Sequence, residues 1–146
     1  MPVVKITKDN MHDILEQNEI VIMDFWADWC APCKTFDPIL EAASDRHTDI
    51  VFGKIDTESE DIVTRVFQVR SIPTVLIFKQ NIGVFRESRA FRPMELESMI
   101  AKTRELDMDI IRERIAEAQA EAEAQAAAEE SEHLEAEEAE GASVLD

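Results

Sequence analysis

The sequence predicts an α/β fold with a central mixed sheet flanked by helices, followed by a C-terminal acidic helical extension. Strand-like and helix-like segments alternate over residues 1–104, and the last two strands are joined by a hairpin connection. The charge then changes, because residues 105–146 contain 15 acidic and 2 basic residues, against 17 and 13 in residues 1–104. We therefore expect a domain over residues 1–104 and a helical or partly disordered tail over residues 105–146.

The first elements follow from local patterns. Residues 3–6 form a short run of β-type residues, and Thr7 can cap a helix over about residues 8–17. The side chains of that helix expected to face inward are Met11, Ile14 and Leu15. Residues 20–26 are nearly continuous in β-branched and aromatic residues, which is typical of a buried strand.

A second helix is predicted over residues 32–46, with a kink at Pro38. Residues 50–55 have the pattern of a third strand, and residues 59–67 that of a short helix. The apolar stripe of this short helix would consist of Ile62, Val63 and Val66.

Two more strands are predicted over residues 74–79 and 84–88. The four residues between them, 80–83, are typical of a hairpin connection. Pro93 suits the first turn of a last helix, since its ring presets the helical φ angle. The buried face of this helix would be formed by Leu96, Met99 and Ile100.

The tail has the composition of a helix. No Gly or Pro interrupts residues 94–140, so the last helix is expected to continue past the domain, although acidic pairs four residues apart oppose it. Three interpretations stay open: a solvated extension, a docking arm for a basic protein partner, or a flap that substrate displaces.

The overall charge excludes several functions. The 146-residue chain has a formal net charge of −17 and a pI near 4.4, which is the wrong sign for nucleic acid phosphates or anionic lipids. Its apolar runs are far shorter than the ~20 residues that span a bilayer. The first twenty residues lack the apolar core of a signal peptide, so a cytoplasmic protein is expected.

Cys30 and Cys33 stand at the predicted start of the second helix. The unpaired amides and the dipole there stabilise a thiolate on Cys30, which makes it the candidate nucleophile. Cys33 lies one turn deeper and suits a residue that resolves a mixed disulfide. Such a pair can also be half of a zinc site, but no second CxxC exists and no metal is predicted. The three histidines show no ligand spacing: His12, His47 and His133.

Asp24 occupies a strand position where the pattern requires a buried apolar residue. A carboxyl placed there costs several kcal/mol unless it is neutral or paired. With a raised pKa it could exchange protons with Cys33 as the disulfide opens and closes. A structural ion pair with Lys54 is the alternative, and the two interpretations are compatible.

The run of residues 24–34, Asp-Phe-Trp-Ala-Asp-Trp-Cys-Ala-Pro-Cys-Lys, resembles the active-site sequence of the thioredoxin family. Pro38 matches the kink proline of its active-site helix, and Lys54 and Asp56 match its third strand. Residues 70–74, Arg-Ser-Ile-Pro-Thr, resemble the family's cis-proline loop. The resemblance covers about residues 3–103 and implies a thioredoxin fold.

The resemblance also implies an activity: reduction of protein disulfides, with re-reduction by thioredoxin reductase using NADPH and no cofactor bound to this chain. It implies a cis bond between Ile72 and Pro73. Trp29, Ile72 and Pro73 would then form a flat apolar surface around Cys30 that holds the client's disulfide, with Pro32 present between the cysteines as in the family.

The sequence departs from the family's pattern at two places near the cysteines and the groove. Ala31 replaces the usual Gly between the cysteines, which predicts a modest shift in reduction potential with retained activity. Ser-Arg-Ala at residues 88–90 replaces a Val-Gly-Ala groove segment. Arg89, with Arg86 and Arg92, would narrow the set of clients and favour acidic ones, unless the Arg89 side chain points away from the groove.

The sequence thus predicts a thiol–disulfide oxidoreductase. Cys30 would attack a client disulfide and Cys33 would release the product, while Asp24 assists proton transfer and Lys54 tunes it. The alternative is a thioredoxin-like co-chaperone or assembly adapter whose acidic tail binds partners. Expected partners are disulfide-containing clients, thioredoxin reductase and a basic protein for the tail, but neither nucleic acid nor a membrane.

Overall fold

The structure is a computed structural model that describes residues 3–145, with side-chain surroundings through residue 141. It divides the chain into two units, Met1–Leu106 and Asp107–Asp146. The elements of the first unit, in chain order, are β1 (Val4–Lys5), α1 (Met11–Gln17), β2 (Ile20–Trp26), α2 (Ala31–Arg46), β3 (Val51–Asp56), α3 (Asp61–Val66), β4 (Thr74–Lys79), β5 (Ile82–Glu87) and α4 (Pro93–Glu105). The second unit contains α5 (Met108–Leu145).

The five strands form one mixed sheet in the order β1-β3-β2-β4-β5. Strands β1, β3 and β2 are parallel, whereas β4 runs antiparallel to both β2 and β5. In the central strand β2, Asp24 pairs with Lys54 on one side and with Val75 on the other. The predicted mixed sheet with flanking helices and a C-terminal helix is confirmed.

Side chains of β2 alternate between two hydrophobic cores. Ile20 and Ile22 face a core that includes Phe36 and Leu40 of α2 and residues of α4. Val21, Met23 and Phe25 face the other core, whose helical members come from α1 and α3. Because successive strand residues point to opposite faces, Asp24 shares the α2 face of the sheet with Ile20 and Ile22.

Two helix predictions are wrong in detail. Helix α1 begins at Met11 rather than near residue 8, because the Asn10 side chain accepts the Thr7 N–H at 2.8 Å and holds the preceding residues in a turn. In α3 only Val63 is buried, whereas Ile62 and Val66 are 59% and 64% exposed. With six residues, α3 turns only one narrow face to the sheet.

The hairpin is tighter than predicted. Strand β5 begins at Ile82, so the connection is the pair Gln80 and Asn81, with φ angles of 51° and 63°. Positive φ at both positions is the geometry of two-residue hairpin turns, whose twist matches that of the strands. A register shift between Ile77 and Phe78 lies just before the turn.

The expectation of one continuous helix from α4 into the tail is also wrong. Leu106 has extended backbone angles, and the buried Lys79 ammonium donates to the carbonyls of Thr103, Arg104 and Leu106 at 2.9–3.1 Å. Asp107 then accepts the N–H groups of residues 109 and 110, which starts α5. Within residues 3–145, no helix is long and apolar enough to cross a membrane.

Candidate active site

The two cysteines form a disulfide at the N-terminus of α2, with their Cα atoms 5.3 Å apart. Cys30 is the N-cap of the helix, and its Sγ accepts the backbone N–H of Cys33 at 3.2 Å. Both residues are nearly inaccessible, whereas Ala31 and Pro32 between them are exposed. Because helix N-termini favour negative charge, opening the disulfide would leave Cys30 in a position that stabilises a thiolate.

Asp24 lies in the interior of the same domain. Its side chain is inaccessible to solvent, and neither carboxylate oxygen has a hydrogen-bond partner. Desolvation raises the pKa of Asp24 to about 7, although the positive charge of Lys54 acts in the opposite direction and the negative charge of Asp37 adds to the rise. This carboxyl can therefore gain or lose a proton near neutral pH.

Lys54 does not form the structural ion pair with Asp24 that the sequence left open as an alternative. Its ammonium Nζ donates to Asp37 Oδ1 at 2.6 Å and lies 4.6 Å from the centroid of the Trp26 ring. Asp37 was missed at the sequence level. The available signal was its spacing, because Asp37 follows Cys33 by four residues and so lies on the same side of α2.

Trp29, the residue directly before Cys30, has an exposed side chain. Trp29 is 70% exposed, and its indole N–H donates to Glu58 Oε1 at 2.6 Å. Trp29 and Ile72 line one shallow cavity of about 370 Å³, and the peptide bond between Ile72 and Pro73 is cis, as expected. Glu58 was not anticipated, although it comes two residues after the end of β3, which pairs in parallel with β2.

The Arg89 side chain contacts three residues of its own domain. Its guanidinium hydrogen-bonds to Glu95, lies 3.7 Å from Glu87 and stacks 4.5 Å from the centroid of the Phe91 ring. The hydrogen bond from Arg89, followed by those from Arg92, lowers the pKa of Glu95 to about 2. Two carboxylates therefore offset the positive charge that Arg89 brings to this rim.

The other two arginines of the expected cationic rim also have partners. Arg86 donates to the carbonyl oxygens of Phe67 and Gln68 at 2.5 and 2.6 Å. Arg92 donates to Glu95 at 3.0 Å. Glu95 thus pairs with Arg92 as well as with Arg89, whereas the bonds of Arg86 to neutral carbonyls fix its position and leave its charge in place.

The part of the chain that the structure describes contains no group of three or more His, Cys, Asp or Glu side chains able to hold a metal ion. Each histidine instead contacts a glutamate. The pairs are His12 with Glu16, His47 with Glu97, and His133 with Glu137.

A disulfide that closes over two intervening residues can be opened by one thiolate and re-formed by another, so fold and site together define a thiol–disulfide oxidoreductase. The thioredoxin family model matches residues 2–102, and the chain belongs to the thioredoxin family. The activity predicted from the sequence is therefore confirmed, and the adapter alternative is not favoured.

Individual relatives agree with this assignment. The protein named "Putative thioredoxin 2" from Streptomyces coelicolor is 42% identical over 116 residues, which cover 80% of this chain and 87% of that protein. A stretch of that length extends beyond residue 106, so the similarity reaches into the tail. The solved structure of Plasmodium falciparum thioredoxin matches with a TM-score of 0.64 and 35% identity, covering 68% of this chain and 98% of that one.

A third similar protein carries a name that describes it as bifunctional. The "Bifunctional thioredoxin reductase/thioredoxin" of Mycobacterium leprae is 43% identical over 68 residues. The match covers 46% of this chain and 15% of that protein.

Proposed function

We propose that this protein reduces client disulfides with Cys30 as the attacking and Cys33 as the resolving residue. The observation that carries the proposal is the position of Cys30 at the N-cap of α2, where its Sγ accepts the Cys33 N–H. In the dithiol form, the Cys30 thiolate attacks a client disulfide and one client sulfur leaves as a thiolate. Cys33 then attacks Cys30 Sγ, so the mixed disulfide breaks, the Cys30–Cys33 bond re-forms and the client is reduced by two electrons.

Asp24 is proposed to be the proton acceptor for Cys33. The Cys33 thiol must lose its proton before it can attack, and a carboxylate with a pKa of about 7 can take that proton and later return it. Burial on the α2 side of the sheet supports this role, since no other described carboxylate is both inaccessible and without a hydrogen-bond partner. Lys54 tunes Asp24 through its positive charge.

The client is proposed to bind across Trp29, Ala31, Pro32 and the cis-proline loop. The shallow cavity shared by Trp29 and Ile72 supports this surface. Pro73 precedes β4, whose first residue, Thr74, pairs with Phe25 near the end of β2 that leads to the cysteines. An extended client segment laid there could bond to backbone groups of the loop, with its disulfide held over Cys30.

Arg89 is proposed to restrict client choice through its bulk. Ser88 Oγ lies 2.9 Å from Thr74 Oγ1, which brings the Arg89 segment next to the cis-proline loop. Because Glu87 and Glu95 offset the charge of Arg89, we expect size to contribute more than attraction to acidic clients. Replacement by Gly should widen the range of disulfide substrates, and equal rates with every substrate before and after the change would refute this role.

We propose that thioredoxin reductase restores the dithiol and that the protein works in the reducing environment of the cytoplasm. The Mycobacterium leprae relative, whose name combines both activities in one chain, supports the choice of donor. For the tail we propose a basic protein partner. The net charge of −13 over residues 105–146 supports that choice, because it favours association with positively charged surfaces.

The decisive experiment couples NADPH, thioredoxin reductase and insulin. The full chain should turn over, Cys30→Ser should be inactive, and Cys33→Ser should accumulate mixed disulfides through Cys30. Asp28→Asn, an exposed change between β2 and the cysteines, is the matched control and should leave the rate unchanged. Turnover by Cys30→Ser at the rate of the unmodified chain would overturn the proposed roles.

A further inference from the structure

Asp24 has two charged neighbours on different elements, Lys54 on β3 and Asp37 on α2. We propose that Asp37 is a positioning residue for disulfide exchange, because it binds the Lys54 ammonium and so keeps Lys54 from pairing with Asp24. This inference rests on the role proposed above for Asp24 as the proton acceptor for Cys33. It adds a residue that acts through Lys54 without touching the reacting sulfurs.

The geometry supports a fixed Lys54. Its Nζ lies 2.6 Å from Asp37 Oδ1 and is held over the Trp26 ring, and the two side chains are only 25% and 33% exposed. On the neighbouring strand, Asp24 pairs in register with Lys54, yet both of its oxygens lack a hydrogen-bond partner. The Lys54 ammonium therefore pairs with Asp37 on α2 and not with Asp24 on β2.

The sheet also gives Asp24 an apolar neighbour, and helix α2 supplies much of the interior on its side of the sheet. On β4 its register partner is Val75, and α2 contributes Cys33, Phe36 and Leu40 to the buried interior. Among the described residues, the charges that act on the pKa of Asp24 are those of Lys54, which lowers it, and Asp37, which raises it. The carboxylate with which Lys54 pairs therefore decides how strongly the Lys54 charge lowers the pKa of Asp24.

The consequence concerns the second half of the reaction. Cys33 gives its proton to the Asp24 carboxylate and attacks Cys30 Sγ, so that the client thiolate leaves with the bonding electron pair. A better-paired Asp24 would be a weaker base for that transfer. Removing the negative charge of Asp37 would lower the pKa of Asp24 in two ways. Lys54 could turn toward Asp24, and a nearby negative charge would be lost.

The test measures the Asp24 titration directly by carboxyl carbon NMR on the oxidised full chain. Asp37→Asn, which preserves shape and removes charge, should lower the pKa of Asp24 by about one pH unit. Glu41→Gln is the matched control, because it makes the same charge change at an exposed position one turn further along α2. Its effect should stay below about 0.3 unit, and Asp37→Glu should keep most of the original value. Asp37→Ala provides a second variant should the amide disturb the fold.

A second measurement separates positioning from direct repulsion. In a Lys54→Met background, the effect of Asp37→Asn on the pKa of Asp24 should fall to less than half, since no ammonium remains to be redirected. An unchanged Asp24 pKa in Asp37→Asn, or an equally large effect without Lys54, would overturn the inference. The role of Asp24 itself is tested separately by the pH profile of insulin reduction in Asp24→Asn. If that profile shows no role for Asp24 in proton transfer, the measured effect of Asp37 on the pKa of Asp24 still stands.

Discussion

Replacing Asp24 by Asn should stabilise the oxidised protein by an amount that grows with pH. Burial raises the pKa of Asp24 from 3.8 in the unfolded chain to about 7 in the folded domain. Between these values the folded state holds a proton that the unfolded state has already released. Stability is therefore lost as the pH rises from about 4 to about 7, and it changes little above that range through this group.

The size of the effect follows from the two pKa values. Because the pKa of Asp24 rises from 3.8 to about 7, and a tenfold change in an equilibrium is worth about 1.4 kcal/mol, the ionised carboxylate costs the folded state about 4 kcal/mol above pH 7. Rather less than half of this cost, about 1.7 kcal/mol, is already present at pH 5. The stability advantage of Asp24→Asn should consequently increase by about 2.5 kcal/mol between pH 5 and pH 8. The cost of burying the amide is the same at every pH and cancels from this difference.

Urea unfolding of the oxidised full chain at half-unit pH intervals measures this difference. The free energy of unfolding of the unmodified protein is subtracted from that of Asp24→Asn at each pH, so contributions from other titrating groups cancel. Asp28→Asn, an exposed charge removal nearby, should give a nearly flat difference curve. A flat curve for Asp24→Asn as well would show that Asp24 ionises without penalty and would refute its assignment as a buried carboxyl with a raised pKa.

Two further predictions concern the fold. Lys79→Met should lower the free energy of unfolding by about 2 kcal/mol, because three carbonyls at the end of α4 lose their donor, whereas Lys102→Met at an exposed site should change it little. Urea unfolding checks this, and equal effects of the two changes would contradict the role of Lys79. Asn81→Ala should cost about 1 kcal/mol and Asn81→Gly less, since φ is 63° there. A scanning calorimeter resolves the two, and an Ala variant as stable as the Gly variant would argue against that backbone conformation.

The pattern of apolar residues predicted those elements correctly that are strongly buried and do not depend on distant contacts. Strands β2 and β4 were predicted with their correct bounds because they are buried on both faces, so their sequences are almost continuously apolar. The end of α4 at Glu105 could not be predicted, because the carbonyls there bind Lys79, a residue 24 positions away from the first of them. Single-segment propensities contain no information about such distant partners.

The same distinction holds at the active site. Cys30, Cys33 and Asp24 are contiguous enough for motif and strand pattern to single them out. The partner of Lys54 depended on a competition between two carboxylates, one on the same sheet and one on a helix, which the sheet register alone could not decide. Similarly, the Arg89 charge was visible in the sequence, but its neutralisation by Glu87 and Glu95 depends on how the loop before α4 folds back.

The two ends of strand β4 lie next to different parts of the domain. It begins beside the cis-proline and ends at Lys79, which holds the last turn of α4 and the carbonyl of Leu106, where the chain leaves the domain. Six strand residues span roughly 17 Å, so Lys79 and the last turn of α4 lie at the opposite end of β4 from the cis-proline loop. A domain that ends at Leu106 could therefore be tethered through its last residue, at the end of β4 opposite the cis-proline loop.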